Sequence, residues 1–335
     1  MLVLGKKKSS FGDVGGAIIL SEQFLSYLDN YNIKYEHVDL NFKNNYGKVI
    51  AFFRINFFIA WKGLRNKKII LNASKNGVLL HLIPLLFLNF FPSKKIVLRF
   101  FGSNFKTYLQ SLPKPIQYLI KFLLAQADLI FFEEKYQVKN LQSLNNNIQW
   151  FPNMRLIPDT IKNDDLFEGK FVYLGHIREE KGINILLEAK LRLGNAFDIK
   201  LFGPKINYTC PAHLEKVFNQ IYMGAIAHDE VVPTLSKYDV LILPSFSEGY
   251  PGVIIEAFSV GLPIIASDLP GIREMVEGYK AAKLIPIKDV DALINAVLEF
   301  NKSNYLDYRE NSLNAFNQFD AKKQMPRILD LINSL

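Results

Sequence analysis

The chain has 335 residues, is 49% hydrophobic and carries 40 Lys+Arg against 32 Asp+Glu, a net charge of +8. That length and apolar content call for two domains, each with its own core. A single cysteine, Cys210, excludes an internal disulfide framework and fits a reducing compartment, and five scattered histidines offer no zinc-ligand spacing.

In chain order, residues 1–150 alternate short apolar runs with helical patterns. Strands are expected at Met1–Leu4, Tyr35–Leu40, Lys68–Leu71, Ile96–Phe100 and Leu129–Phe132. Helices are expected at Ile18–Asp29, Val49–Leu64, Gly77–Phe90 and Ile116–Gln126. Such alternation predicts a parallel sheet wrapped by helices on both faces. The first strand starts at Met1, so no signal peptide is expected ahead of it. Phe151–Lys170 has two prolines and no periodicity and reads as a linker. The alternation restarts at Phe171–Leu174 and runs to Phe300, and Tyr308–Leu335 reads mainly as helix.

Charge is shared unevenly. Residues 1–150 hold 20 Lys+Arg against 8 Asp+Glu, or +12, whereas the remainder is −4. A basic first half points to an anionic partner, and nucleic acid or an anionic membrane would each satisfy it. No recognisable nucleic-acid module is present, so nucleic acid is not expected. No run reaches the length of a spanning helix; Val78–Phe91 comes nearest, interrupted by His81, Pro84 and Asn89. Ile50–Lys68 and Lys114–Leu124 mix aromatic, aliphatic and basic residues as interfacial segments do. The expectation is a cytoplasmic protein, peripheral on the inner face of an anionic membrane.

The most informative stretch is Ser245–Val276. A buried strand, Asp239–Pro244, leads into a loop with Glu248. Pro251 suits a helix start, and Gly261 with Pro263 ends that helix before the next strand, Leu262–Ser267. The amides of Gly252 and Val253 fall where a helix start leaves N–H groups unpaired. Glu256 is flanked by Val253, Ile254, Ile255, Ala257 and Phe258, so its carboxylate needs a partner.

Four further segments carry polar chemistry. Gly12–Gly16 follows the first strand and opens a helix, as either a phosphate-approaching loop or a plain tight turn. Val97–Phe105 ends a strand with Phe101, Gly102, Ser103 and Asn104. Gly175–Gly182 (GHIREEKG) joins a strand to a helix and brings His176, Arg178 and Lys181. Tyr222–Glu230 includes Ile226 ahead of a short helix. Asp289-Val290-Asp291 imitates a metal-binding pair of aspartates but opens an amphipathic helix, where capping explains it.

The Glu248-to-Glu256 spacing, with Gly249, Pro251 and Gly261 around it, resembles the E-x7-E signature of retaining family-four glycosyltransferases of the GT-B fold. The Gly175–Gly182 loop is similar to that family's G-R-x-x-x-x-K-G loop, with Lys181 matching and His176 in the arginine's place. Phe101 likewise replaces a family histidine. The resemblance implies two doubly wound Rossmann-like domains facing a cleft: 1–155 for the acceptor, 156–310 for the nucleotide-sugar. Residues 311–335 would form a helical segment crossing back to the first domain. It implies Glu248 on the donor sugar and Lys181 on the diphosphate as the catalytic residues. Gly16, His176, Arg178, Ile226, Gly249, Tyr250, Pro251, Gly252, Val253 and Glu256 would line the donor, with Glu256 at the ribose. Arg178 could equally be a surface charge. Gly15, Ser103 and Asn104 fall on the acceptor side. Neither a metal nor a cofactor is expected. The expected partners are a nucleotide-sugar, with UDP as the nucleotide, and a glycan or lipid-linked acceptor of bacterial surface-polysaccharide synthesis. Alternatives on the same fold are a UDP-sugar 2-epimerase, a phosphorylase, or a catalytically degenerate nucleotide-sugar-binding protein.

Overall fold

Mostly apolar strands of three to seven residues separated by helices yield two all-parallel sheets in the computed structural model, which describes residues 1–7, 16–41, 47–102, 105–157 and 166–335. The chain divides into unit 1 (residues 1–153 with 324–335) and unit 2 (residues 154–323).

Unit 1 contains β1 (Leu2–Gly5), β2 (Glu36–Asp39), β3 (Lys68–Ser74), β4 (Lys95–Phe101), β5 (Leu129–Phe132) and β6 (Ile148–Trp150), ordered β2-β1-β3-β4-β5-β6. Its helices are α1 (Gly16–Asn30), α2 (Lys48–Arg65), α3 (Lys75–Leu80), α4 (Leu82–Asn89), α5 (Phe105–Ser111), α6 (Lys114–Gln126) and α7 (Lys135–Leu141). Alternate strand residues Leu2, Leu4, Ile69, Leu71, Ile96, Leu98 and Ile130 form one core with Ile55 and Ile59 of α2, Leu85 and Leu88 of α4, and Ile120 and Leu123 of α6. These three helices therefore cover the same sheet face. Each fully buried aliphatic side chain there contributes roughly 1.5–3 kcal/mol.

The single helix expected over Gly77–Phe90 is two helices, α3 and α4, meeting at His81 (φ −115°, ψ 16°). His81 is buried, with Nδ1 3.1 Å from Asn56 Oδ1, and burial followed by the charge of Lys6 pushes its pKa down to about 4. Packing a polar ring inside an apolar helical run has broken the run. The helices α5 and α7 and the strand β6 were not anticipated, being only three to seven residues long with no clean period.

Unit 2 contains β7 (Lys170–Leu174), α8 (Ile183–Leu193), β8 (Asp198–Phe202), α9 (Glu215–Ile221), α10 (Val231–Leu235), β9 (Val240–Leu243), α11 (Gly252–Ser259), β10 (Ile264–Ser267), α12 (Pro270–Val276), β11 (Ala282–Ile285), α13 (Val290–Glu299) and α14 (Tyr305–Phe316). The last helix, α15 (Ala321–Asn333), follows. The strand order is β11-β10-β9-β7-β8. Counted from β7, this is the 2-1-3-4-5 order of doubly wound folds, whose direction of winding reverses between the first and third strands.

Two boundaries differ from the sequence reading. The expected linker is in part a fixture of unit 2: Arg155 N donates to Phe319 O (3.0 Å) and Ala321 N to Arg155 O (2.9 Å). Residues 311–323 do not return to unit 1 either, because α14 packs on α11 through buried Tyr305, Tyr308, Ser312 and Ala315. Only residues 324–335 join unit 1. There Lys68 Nζ donates to Ile332 O (2.7 Å) and Asn333 O (3.0 Å), closing the carbonyl end of α15, and Arg327 Nη2 donates to Trp150 O (2.6 Å). Among the described residues no helix is long and apolar enough to cross a membrane.

Candidate active site

The winding of unit 2 places the loops after β7 and β9 side by side, where an α/β sheet opens a crevice at its strand ends. The first loop runs Gly175–Gly182 and closes in a 3-10 turn at Glu179–Lys181. Gly182 sits at φ +72°, and a Cβ there would lie 2.0 Å from Pro244 O, so only glycine lets this loop reach the end of β9. Phe246 N donates to Glu180 O (2.8 Å), which laces the two loops together.

That lacing brings the two expected catalytic residues together. Lys181 Nζ lies 2.6 Å from Glu248 Oε1, with side-chain exposures of 24% and 14%. Ser245 Oγ donates to the same oxygen at 2.9 Å. The carboxylate is thus oriented from two sides, and the ammonium, with three N–H donors, keeps two for a ligand. Ser245 opened the informative stretch without being singled out as a site residue; a hydroxyl three residues before a loop glutamate was the available signal.

The following loop delivers Gly249, Tyr250 and Pro251 to the start of α11. The helix begins at Gly252, so Pro251 (φ −67°, ψ 119°) stands just ahead of the first turn rather than in it. Gly252 and Val253, half-buried, supply first-turn amides that have no intrahelical acceptor. Gly271 backs this loop: a Cβ there would meet Gly249 O at 1.9 Å. Tyr250 is buried and its hydroxyl donates to Glu274 Oε1 (3.1 Å), so its phenol is engaged within unit 2.

Glu256, buried at 6% exposure, has the partner its apolar surroundings demand. Arg155 Nε donates to Glu256 Oε1 at 2.7 Å, and Arg155 Nη1 donates to Met154 O. Sequence reasoning missed Arg155 because it lies 101 residues away in a stretch read as linker. Nothing short of the pairing of Arg155 with Asp320 could have placed it.

Of the other residues expected on the donor side, His176 and Arg178 lie in the loop after β7 and Ile226 in the segment after α9. His176 is exposed, and its pKa is lowered by partial burial, then by the charges of Arg178 and Lys181, against a smaller upward pull from Glu248. A neutral imidazole therefore stands where the family has an arginine. Buried Tyr173, its pKa raised by burial and then by Glu248 and Glu180, stays protonated and donates to His176 O (2.8 Å). Arg178 Nη1 donates to Glu180 Oε1 (3.3 Å), while its Nε is buried without a hydrogen-bond partner. Ile226, half-buried, follows Gly224 in a loop held by Gly203 N donating to Gly224 O (2.8 Å). Asp289 Oδ1 accepts from Ala292 N (2.8 Å) and caps α13. Among the described residues no group of three or more His, Cys, Asp or Glu is placed to hold a metal ion.

In unit 1, Gly16 opens α1, whereas Gly15, Ser103 and Asn104 lie outside the described residues. A cavity of about 260 Å³ lies between the ends of β1, β3 and β4, walled by Lys6, Asn72, Ser74, Asn76, His81 and Phe101 among others. Phe101, standing for the family histidine, gives it an apolar wall.

Comparison with known proteins adds the following. Residues 168–302 match the family described as Glycosyl transferases group 1. The UDP-Gal:alpha-D-GlcNAc-diphosphoundecaprenol alpha-1,3-galactosyltransferase of Escherichia coli is 33% identical over 38% of this chain and 32% of its own length. The N,N'-diacetylbacillosaminyl-diphospho-undecaprenol alpha-1,3-N-acetylgalactosaminyltransferase of Campylobacter jejuni is 29% identical over 45% of this chain and 41% of its own. The matched part thus spans less than half the length of these relatives. Anabaena HepE, solved in complex with UDP, is similar over 100% of both chains, with a TM-score of 0.73 at 14% identity. That similarity fixes the fold, GT-B.

Proposed function

We propose, from the match of residues 168–302 to the Glycosyl transferases group 1 family and from the GT-B fold, that the protein is a glycosyltransferase that moves a sugar from a UDP-sugar to a lipid-linked glycan acceptor, with retention at the anomeric carbon, in bacterial surface-polysaccharide synthesis. One observation carries this reading: Lys181 Nζ and Glu248 Oε1, 2.6 Å apart, meet beside the amide end of α11 where unit 2 reverses its winding.

The barrier lies in breaking the anomeric C–O bond, which leaves positive charge on the sugar and negative charge on the departing diphosphate. Lys181 and the Gly252 and Val253 amides meet the phosphate charge, preorganised donors being most effective where charge develops. Glu248, pinned by Ser245, holds the sugar hydroxyls. The acceptor hydroxyl bonds to the anomeric carbon on the face the diphosphate leaves, and its proton passes to a donor phosphate oxygen. The chain supplies no nucleophile, and a divalent ion is not required. Glu256, neutralised by Arg155, faces the ribose. The lipid-linked acceptor is supported by the diphosphoundecaprenol substrates in the names of two relatives. The cavity of unit 1 is the acceptor's place, and Asn72 and Ser74 are its polar contacts.

The test is a screen of UDP-sugars with an undecaprenyl-diphosphate-linked acceptor, reading the product's anomeric configuration by NMR, with and without EDTA. Retained configuration and EDTA-resistant transfer are expected. An inverted product or EDTA-silenced transfer refutes the mechanism. Conversion of donor without acceptor would instead indicate an epimerase, and unchanged turnover in Glu248→Gln a site that does no chemistry.

A further inference from the structure

The three apolar segments that unit 2's chemistry leaves unused lie together. The helices α2, α4 and α6 cover one face of the unit 1 sheet, α4 packing between α2 and α6. Their inner sides carry the core, yet their outer sides are not polar, as a solvated amphipathic helix would require. Along α2 the exposed apolar residues are Val49, Ile50, Phe53, Phe57, Trp61 and Leu64, the last five a stripe at helical spacing with Phe53 67% and Phe57 66% exposed. On α4, Ile83 and Phe87 are exposed, with Phe90 just beyond its end, and Ile83 and Phe90 reach 77% and 78%. On α6, Tyr118, Leu119 and Phe122 face outward. Adjacent exposed side chains of this size far exceed the scattered apolar residues of an ordinary surface.

Charge selects the occupant. Between Asp39 and Asp128 the sequence holds 14 Lys+Arg and no Asp or Glu. Arg54, Arg65, Lys114 and Lys121 are exposed on α2 and α6 themselves. The guanidinium of Arg65 lies 4.0 Å from the Trp61 ring centroid and that of Arg54 lies 5.6 Å from Phe58, placing cations at the level of the aromatic rings. An aromatic surface interleaved with cations, on helices devoid of carboxylates, is complementary to an interface that is apolar below and anionic at its headgroups.

We infer that the outer face of α2, α4 and α6 docks on an anionic lipid bilayer, with Phe53, Phe57, Phe90 and Tyr118 entering the headgroup boundary and Arg54, Arg65, Lys114 and Lys121 meeting lipid phosphates. The inference deepens the lipid-linked acceptor reading, since it brings the enzyme to the surface that carries such an acceptor. It does not depend on catalysis.

The experiment is flotation of the full chain with vesicles of phosphatidylcholine alone or mixed with phosphatidylglycerol, alongside UDP binding by calorimetry. The wild type is expected to float with the phosphatidylglycerol vesicles and to be released by salt. Charge removal in Arg54→Gln and Lys121→Gln should weaken binding about fivefold each. The exposed replacements Phe53→Ser, Phe57→Ser and Phe90→Ser, combined, should weaken it tenfold or more. UDP binding, and the urea midpoint of unit 1 read from tryptophan fluorescence, should be unchanged throughout, which shows that both units of the variants fold. Equal flotation with both vesicle types, or flotation indifferent to these substitutions, overturns the inference. So does light scattering that shows a dimer burying this face while the chain stays off vesicles. Vesicle binding without any sugar transfer would refute the glycosyltransferase reading and leave the docking face standing.

Discussion

Breaking the Arg155–Glu256 pair tests the construction of the site most directly. Both side chains are nearly out of solvent, at 10% and 8% exposure, so water does little to screen either charge once its partner is gone. Arg155→Met strands a carboxylate on the core-facing side of α11 and should cost roughly 3–5 kcal/mol. Glu256→Gln keeps an oxygen that can accept from Arg155 Nε and should cost about 1–3 kcal/mol. The double variant buries no unpaired charge, so its loss should fall short of the sum by about 2 kcal/mol. Tryptophan fluorescence cannot read this, because Trp61 and Trp150 both belong to unit 1. Amide hydrogen exchange in peptides spanning Gly252–Ser259 can. Additivity within about 0.5 kcal/mol would refute the claim that the two charges depend on each other.

The other predictions concern both units. Lys181→Met should lower kcat by about 10²–10³-fold, the loss typical of one preorganised donor; a loss under tenfold in initial-rate assays would remove Lys181 from the chemistry. Gly182→Ala places a side chain at φ +72° against Pro244 O and should destabilise unit 2 by about 2 kcal/mol or more, measured by exchange in α8 and β9 peptides, with unchanged protection counting against the close approach. Unit 1 should lose stability as pH falls from 6.5, the ordinary value for histidine, towards the value of about 4 for folded His81. In that window the unfolded chain binds a proton that the folded chain refuses, a contribution of about 3 kcal/mol in full. Urea titrations followed by tryptophan fluorescence should show that slope in the wild type and a shallower one in His81→Asn.

Periodicity marked most long elements because it records burial directly. The strand Leu129–Phe132 was readable to the residue, and the strand expected at Asp239–Pro244 to within one residue at each end, both being apolar runs bounded by turn residues. The split of the Gly77–Phe90 run at His81 was not, because it depends on Asn56 from another helix. Likewise α5, α7 and β6 are held by neighbours rather than by a pattern of their own.

The sequence alone determined that Lys181 and Glu248 each lie in a loop that follows a buried strand, since glycines, prolines and apolar runs are local signals and chain order carries them. It also determined that Glu256 must be neutralised, because a carboxylate among five apolar neighbours has no other way to exist. Only the tertiary structure decided that Arg155 is the neutralising group, that Ser245 steadies Glu248, and that three aromatic helices share one outer face. Each of these joins residues across chain spans or elements whose relative placement no local pattern encodes; strand order and packing create it.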